Sequence, residues 1–428
     1  MPTPTNGYPA EKASDVEVLP APATSTETRA GTPPARRSGL GSRLFKCGFT
    51  VISVLLILKL LYLGFDALPR GCNGLGAQMS SNYHPIGDGG HQHPFPPIGD
   101  WKPFQGTTHF EFEPAVASGF SVRGAQAFGK VVFETSKLSD KVVIDLDIKT
   151  SKKDKDGEVT VKEENGYLTV DTPNTGKMET YASTRIQIPS NIIGKFVMPQ
   201  FQVDVGRHMV DFSGLPESLE IDTFKVRIGQ GFVKPGPVHT NTTKISIGNG
   251  ALKGSLIHAA YETNIDVAHG NVTLDIPDIS SGNQGATKIH LGNGHLKGTL
   301  SVYNSTIVDV ASGGIYIGVD FKHSDRRASL STKIAAGNSR VYVNSIAAER
   351  LLESSHSSIN GDQLITYPSN FQGTIDARGV LGDIKLAGKD LAVEKVVGGL
   401  VGRQGDSNRN SVTVKSVRGK LDILVGDE

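Results

Sequence analysis

Lys244 to Leu256 reads KISIGNGALKGSL, and Lys288 to Leu300, 44 positions later, reads KIHLGNGHLKGTL. Nine of these 13 positions carry the same residue in both stretches. Repetition at this level indicates one structural unit that is built several times along the chain. The sequence therefore says more about the shape of the protein than about a particular ligand.

The repeat is finer than 44 residues. Glycine-centred turns recur through the C-terminal half every 18 to 24 residues or so, and 44 residues then correspond to two rungs of about 20–22 residues. The clear turns lie at Gly231, Gly250, Gly270, Gly294, Gly314 and Gly337, and weaker ones at Gly361, Gly379, Gly399 and Gly419. We expect these glycines to supply corners with positive φ, and Asn249, Asn293 and Asn338 to tolerate the same region.

Between the glycines, apolar residues alternate with polar ones. Examples are Ile245 and Ile247, and Val272, Leu274 and Ile276. Period-2 alternation places such side chains on one face of a strand. A rung of short strands cannot bury that face alone, but it can when neighbouring rungs stack on it. The sequence therefore predicts an all-β fold, a β-solenoid or β-roll, with an antiparallel sandwich as the alternative.

The N-terminal part predicts a single membrane anchor. Residues 1–46 are rich in Pro, Thr, Ala and Ser and are expected to be a disordered cytoplasmic tail. Residues 47–65 are almost entirely apolar, and 19 helical residues span about 28 Å, close to the thickness of the hydrocarbon core. Lys59 interrupts the run but can extend towards the headgroups. A buried core helix is the alternative reading.

Flanking charge predicts the orientation of this anchor. Arg36, Arg37, Arg43 and Lys46 precede the span, whereas Arg70 is the nearest basic residue after it. The positive-inside rule then places the N-terminus in the cytoplasm and the rest of the chain outside or in the secretory lumen, as in a type II single-pass protein.

Three N-glycosylation sequons lie on the predicted lumenal side, at Asn241, Asn271 and Asn304. About two or three are expected there by chance, so they agree with the topology without establishing it. Their positions within the repeats suggest rung corners that face water.

Residues 66–106 are rich in Gly, Pro and His and predict a stem, with Trp101 and Phe104 marking where it meets the folded part. Residues 107–224 are rich in strands but lack the glycine ladder, and they form either irregular first rungs or a capping β region. Residues 225–428 form the predicted repeat domain. Outside the membrane, the one helix-like stretch is residues 346–353.

Composition narrows the function further. The net charge is +1, which gives no electrostatic reason to expect a nucleic-acid partner. Cys47 and Cys72 are the only cysteines, too few for a disulfide scaffold. Cys72 lies beyond the predicted membrane span and could cross-link two copies.

The candidate catalytic residues of the sequence are mostly carboxylates. Asp145-Leu146-Asp147 has the D-x-D form of nucleotide-sugar enzymes, but both aspartates fall on the outward side of a strand. Asp266 and Asp309 recur at equivalent places in two repeats, with Asp275 and Asp278 nearby, and Asp376 and Arg378 form another pair. Recurrence in the repeat favours a structural role. We therefore predict no catalytic, cofactor-binding or metal-binding residue.

Outward positions of the repeat carry polar residues suited to repeated weak contacts with an extended polymer such as a glycan. They include Lys244, Ser246, Lys253, Lys288, His290 and Lys297. A face that is merely hydrated is the alternative explanation.

The G-N-G-x-L-K-G rungs resemble the adhesin-like domain, a repetitive β-fold of undefined function in many bacterial and fungal proteins. The resemblance covers about residues 225–426, and the anchored and stemmed layout is similar to fungal single-pass versions. It implies a non-catalytic surface or lumenal protein with a binding or scaffolding role, towards cell-wall or glycan polymers. The alternative is a carbohydrate-active enzyme of the secretory pathway, either a β-helix lyase or hydrolase or a glycosyltransferase.

Overall fold

The alternating apolar residues and recurrent glycines fold into long strands that bend at their glycines. The computed structural model describes residues 101–151, 159–173, 179–257, 259–277, 285–321, 327–347 and 349–426, and within these ranges the secondary structure consists of strands without helices. The strands are β1 (Trp101–Pro103), β2 (His109–Phe112), β3 (Ser118–Arg123), β4 (Ala127–Ser136), β5 (Val142–Ser151), β6 (Thr160–Glu164), β7 (Tyr167–Asp171), β8 (Thr180–Pro189), β9 (Val197–Asp211), β10 (Glu220–Lys234), β11 (His239–Ser255), β12 (Glu262–Ile276), β13 (Ala286–Val302), β14 (Ser305–Phe321), β15 (Ala328–Ile346), β16 (Leu352–Asn360), β17 (Gln363–Tyr367), β18 (Gly373–Leu381), β19 (Ile384–Gly388), β20 (Ala392–Val396), β21 (Gly399–Gln404), β22 (Asn410–Arg418) and β23 (Leu421–Val425).

The centre of the fold is a stack of parallel strands. Each strand from β9 to β15 pairs in parallel with the next one along the chain. The two near copies in β11 and β13 lie on either side of β12 and in the same register with it. The prediction of an all-β fold is therefore confirmed, and the central pairing is parallel, whereas a sandwich of the alternative kind would be antiparallel.

A column of glycines bends the layers at equivalent points. Its members have φ between +127° and +153°. They are Gly231, Gly250, Gly270, Gly294, Gly313, Gly337, Gly361, Gly419 and Gly382, and a Cβ on each after the first would meet the carbonyl of the preceding glycine. We call the part of a layer before this corner its first arm and the part after it its second arm.

Several of the predicted corners were wrong in detail. The column uses Gly313 instead of Gly314, and Gly382 instead of Gly379 or Gly399. The prediction for Asn249, Asn293 and Asn338 was also wrong, because the non-glycine residues with positive φ in the described ranges are Asn165 and Asp390. At the corners, the glycines adopt the positive φ angles, and their neighbours remain extended.

At both ends, two short strands replace one long bent strand in each layer. β3 and β4 together pair in parallel with β9 on one side and with β7 and β8 on the other. Likewise, β22 and β23 form one layer. It lies between the layer formed by β16 and β17 and the layer formed by β18 and β19. The described residues thus form twelve layers, and at each end the order of layers differs from the order of the chain.

Antiparallel strands cover both ends of the stack. β5 pairs antiparallel with β8, and β1 and β2 pair antiparallel with β5. At the other end, β21 pairs antiparallel with β18 and β20 with β21. Capping of this kind removes open strand edges that would otherwise invite aggregation.

Inward residues of all layers belong to one contiguous apolar cluster. Where β4, β9 and β10 meet, the cluster contains a group of aromatic rings. Phe133 lies next to Phe201, with ring centroids 5.3 Å apart, and Phe212 lies next to Phe224, with centroids 4.8 Å apart. Phe104 packs against the cluster and its amide donates to the carbonyl of Ile148, so the end of the predicted stem does meet the folded part.

The predicted helix at residues 346–353 was wrong. Ile346 ends β15 and Leu352 begins β16, and a turn with a hydrogen bond from Arg350 N to Ala347 O connects them. Eight residues are too few for helical periodicity to compete with strand pairing on both sides. The predicted boundary at residue 225 falls inside β10, and β9 already belongs to the parallel stack.

Other predictions lie outside the described residues. These are the tail, the membrane span at 47–65, Arg36, Arg37, Arg43, Lys46, both cysteines, most of the stem and Asp278. The described residues contain no helix that could cross a bilayer.

Candidate functional site

Outward side chains of the first arms form two polar rows along the stack, which we call the ladder face. Strand pairing places each member beside its equivalent in the next layer, at a spacing of about 4.8 Å. One row contains Asp204, Arg227, Ser246, Asp266, His290, Asp309 and Lys333. The other contains Gln202, Lys225, Lys244, Asn264 and Lys288.

Polar contacts join neighbouring layers within the ladder face. Lys288 Nζ donates to Glu262 Oε1 at 2.8 Å, and this hydrogen bond lowers the pKa of the Glu262 carboxyl. Both side chains are partly exposed, so the pair contributes little to stability. The contact does, however, tie Lys288 to Glu262 in the layer before it.

The recurring aspartates flank a histidine. Asp266 and Asp309 lie in the layers before and after His290, and His290 Nδ1 is 3.3 Å from Asp309 Oδ2. Asp266 accepts a hydrogen bond from Asn264 Nδ2 at 3.2 Å. Two layers separate the carboxylates by about 10 Å, near the upper end of the range for inverting glycosidases, but His290 occupies the gap where water would act.

The other candidate carboxylates have structural partners. Asp275 Oδ1 accepts from the amide of Thr299 in the next layer at 3.0 Å. Asp376 pairs with Arg378, whose Nη1 also donates to the Val397 carbonyl.

The aspartates of the D-x-D motif also bind neighbouring side chains. Asp145 accepts hydrogen bonds from His109 at 2.7 Å and from Gln187 at 2.9 Å, and the first of these raises the pKa of His109. Asp147 is 3.1 Å from Lys149 Nζ. Both motif residues are outward-facing, as predicted, and each belongs to a local polar contact.

A groove of about 580 Å³ opens at the N-terminal end of the ladder face. It lies over β3, β7 and β9, with β6 at its side. Its floor contains Tyr167, whose ring covers Gly119: a Cβ on that glycine would be 2.4 Å from two ring carbons. Tyr167 Oη accepts a hydrogen bond from Gln200 Nε2 at 2.8 Å, which ties the tip of the ring to β9.

Polar groups of mixed charge surround this tyrosine. Ser121 Oγ donates to Thr169 Oγ1 at 2.9 Å, and Lys162 Nζ donates to Asp171 Oδ2 at 3.3 Å. Arg123 and Asp204 also line the groove, and within the described part of the chain neither side chain has an ion-pair partner. These two groups can therefore bind a ligand without first breaking an ion pair.

Sequence reasoning did not find this groove. Gly119, Tyr167 and Gln202 are far apart in the chain. They come together because β3 lies between β7 and β9 in the stack. The available signal was Asn165-Gly166, a dipeptide typical of a tight hairpin turn, which places Tyr167 at the start of a strand.

The three sequons differ in exposure. Asn271 and Asn304 are exposed, Asn271 directly after a corner glycine and Asn304 between β13 and β14. Asn241 lies within β11, is half-buried, and donates from Nδ2 to Asp222 Oδ1 at 2.6 Å. Two of the three sequon asparagines are thus exposed.

Two buried histidines lie in the core of the stack. Burial lowers the pKa of His208 and of His356 to about 3. His356 contacts Thr332 Oγ1 at 2.7 Å, Ser354 Oγ at 2.7 Å and Tyr367 Oη at 3.1 Å. Within the described residues, neither ring nitrogen of His208 has a hydrogen-bond partner. Because both rings are buried, neither is placed to act on a ligand.

Comparison with known proteins gives a distant structural likeness only. No protein-family model matches the chain, and no curated protein matches it. Among solved structures, a provisionally assigned cell adhesion protein from Clostridium sporogenes is 11% identical, covering 76% of this chain and 100% of its own, with a TM-score of 0.19.

Two further solved structures are similar in the same distant way. Provisionally assigned adhesins from Parabacteroides distasonis and Bacteroides fragilis are 12% and 10% identical, covering 76% and 73% of this chain and 98% and 95% of theirs, with TM-scores of 0.29 and 0.24. At such scores the likeness shows no shared function, and the fold described above rests on the strand pairing of this chain itself.

Proposed function

We propose that this chain is a membrane-anchored, non-catalytic, adhesin-like protein. Its layers are the coils of a β-solenoid, and its ladder face binds an extended polymer such as a cell-wall glycan. One observation carries the proposal: polar side chains recur in register on one face over successive parallel layers. A polymer that meets equivalent groups in each layer gains many weak contacts without needing one deep pocket.

The contacts of the carboxylates support a binding role over a catalytic one. Asp266, Asp275 and Asp309 each contact a neighbouring polar group. A general acid or a nucleophile needs a carboxyl that is directed at the substrate. The contacts of Asp275 and Asp309 instead join one layer to the next.

Co-sedimentation with insoluble polysaccharides tests the proposal. We would mix the full chain, solubilised in detergent, with chitin, β-1,3-glucan, cellulose or mannan. Replacing Lys225, Lys244 and Lys288 by Ser removes three cations from the ladder face, and binding to the preferred polymer should weaken at least tenfold. The matched control replaces Lys253, Lys297 and Arg340, three cations on the second arms, and should leave binding within about twofold. Equal losses in the two variants would contradict a role for the ladder face.

The anchor and its orientation belong to the same proposal and rest on the apolar run at 47–65 and the basic residues before it. Microsomes that carry the chain with a tag at each end provide the test. Added protease should remove the N-terminal tag and leave the C-terminal region protected until detergent is added. Protection of the N-terminal tag would reverse the orientation.

The alternative is a carbohydrate-active enzyme of the secretory pathway. The recurrence of two outward carboxylates, Asp266 and Asp309, in one row of the ladder face is the observation that favours it. Release of reducing ends from any of the same polysaccharides, lost on Asp266→Asn or Asp309→Asn, would establish the enzyme and overturn the non-catalytic proposal.

A further inference from the structure

The ring of Tyr167 is held in one orientation from two sides. Gly119, its partner in β3, has no side chain, and the ring lies over the space where a Cβ would be. Gln200 in β9 holds the phenol oxygen at 2.8 Å. The tyrosine is partly exposed and lines the groove, so part of the ring surface is open to a ligand. Such pre-ordering reduces the entropy that a ligand must overcome on binding.

The polar groups around the ring are those that bind hydroxyl groups. Carboxylates, amides and guanidinium groups all form hydrogen bonds with hydroxyls. The groove contains two cations, Arg123 and Lys162, and three carboxylates, Glu164, Asp171 and Asp204, so its formal charge is −1. This charge disfavours an acidic ligand and favours a neutral one with many hydroxyl groups.

The groove is continuous with the ladder face. Gly119 pairs with Gln202, the first member of one row, and Ser121 pairs with Asp204, the first member of the other. A chain-like ligand that lies along the rows therefore reaches Tyr167 at its end. In the groove, an aromatic ring and a concave surface coincide.

We infer that the groove is a saccharide subsite in which a neutral pyranose ring stacks on Tyr167 while Arg123 and Asp204 bind its hydroxyl groups. The inference rests on the proposed function, because it names the class of sugar and the end at which a polymer is held. An aromatic face matches the apolar C–H face of a pyranose, and the polar rim matches its edge.

Short oligosaccharides test the subsite apart from the ladder face. We would titrate the detergent-solubilised full chain by calorimetry with neutral tetrasaccharides of β-1,4-glucose, β-1,3-glucose, mannose and N-acetylglucosamine, and with an acidic oligogalacturonate. At least one neutral tetrasaccharide should bind. Tyr167→Ala should weaken its affinity at least tenfold, which corresponds to about 1.4 kcal/mol. Tyr167→Phe keeps the ring and should remain within about threefold.

Gly119→Ala is the sharpest variant, because it adds one methyl group that displaces the ring and deletes no polar group of the groove. It should lose binding as Tyr167→Ala does, with an unchanged circular dichroism spectrum. The matched control is Tyr261→Ala, which removes a tyrosine that is 72% exposed elsewhere and should not change binding.

The outcomes separate the two proposals. If tetrasaccharides bind but Tyr167→Ala and Gly119→Ala bind equally well, or if the acidic oligosaccharide binds best, the subsite is overturned. If insoluble polymer binds and no tetrasaccharide does, the subsite is overturned and the polymer-binding function stands. If tetrasaccharides bind at Tyr167 but no polymer does, the subsite stands and the ladder face is excluded. If neither the tetrasaccharides nor the polymers bind, the subsite and the polymer-binding function are both overturned.

Discussion

The carbonyl oxygen of Gly250 lies where a side chain on Gly270 would begin: a Cβ at residue 270 would be 1.5 Å from that oxygen. Gly270 also has φ +141°, a conformation that residues with a Cβ rarely adopt. The same relationship repeats from layer to layer and allows backbones to stack directly at the corners.

Gly270→Ala should therefore destabilise the protein strongly. Backbone strain and the clash with a neighbouring carbonyl together should reduce the free energy of unfolding by about 3 kcal/mol or more. Urea unfolding measures the change. Gly206→Ala is the control, because the nearest atom to a Cβ there is 3.9 Å away, and it should shift stability by less than about 1 kcal/mol. Similar losses in both variants would contradict the stacking of the corners.

Asn410 joins three parts of the chain at the C-terminal end of the stack. Its Oδ1 accepts from the amide of Leu352 at 2.8 Å, and its Nδ2 donates to the carbonyl of Gln372. The residue is buried and begins β22, the strand inserted between β16 and β18.

Asn410→Ala leaves the buried amide of Leu352 and the carbonyl of Gln372 without their partner and should cost about 2 kcal/mol. Hydrogen exchange should show the amides of β16, β18 and β22 losing protection together, because the inserted layer holds its neighbours. Asn408→Ala, an exposed position two residues earlier, is the control and should change neither quantity. Loss of protection confined to β22 would contradict the order of layers.

The local features of the stack could be predicted from sequence because they repeat at short range. Alternation identified the inward residues, such as Ile245 and Ile247, and the glycine spacing identified the corner at Gly250. The choice between Gly313 and Gly314 could not be made, because both neighbours are glycines and only pairing with Gly294 selects the first.

The ends could not be predicted because their pairing is non-local. β22 returns to lie between layers that precede it in the chain, whereas β3 lies between β7 and β9, which follow it. No local pattern encodes such an insertion. The groove at Tyr167 depends on it, and its residues therefore carried no recognisable motif.

The sequons should be used unequally in a eukaryotic secretory host. Asn271 and Asn304 are exposed, whereas the amide nitrogen of Asn241 donates to Asp222 within a strand. We expect glycopeptide mass spectrometry to show higher occupancy at the first two. Asp222→Ala removes the acceptor of that hydrogen bond and should raise occupancy at Asn241. Full occupancy at all three sites in the parent would contradict this ranking, and no occupancy anywhere would contradict the lumenal orientation.

His208 should make the protein sensitive to acid. The imidazole has a pKa near 6.5 in the unfolded chain, and burial lowers it to about 3 in the folded one. Between these values the unfolded chain binds a proton that the folded chain does not, so the free energy of unfolding falls as pH falls through this window.

Comparing urea unfolding at pH 7.5 and pH 5.0 tests this. His208→Leu removes the titrating group and should reduce the acid-induced loss of stability by about 2 kcal/mol. Asn408→Ala, at an exposed position without a titrating group, is the control and should leave the loss nearly unchanged. A parent-like loss in His208→Leu would mean that His208 gains its proton in the folded state.

His356 should differ from His208 in what its removal does at neutral pH. Thr332, Ser354 and Tyr367 all contact its ring, and all are buried. His356→Leu leaves these hydroxyls without their shared partner, and the free energy of unfolding at pH 7.5 should fall by about 3 kcal/mol. His208→Leu is the matched comparison, because it removes a buried ring whose nitrogens have no partner among the described residues, and it should be neutral or stabilising at this pH. Since both substitutions delete the same titrating group, they should reduce the loss of stability at pH 5.0 to a similar extent. Equal stability of the two variants at pH 7.5 would show that the hydroxyls around His356 find other partners.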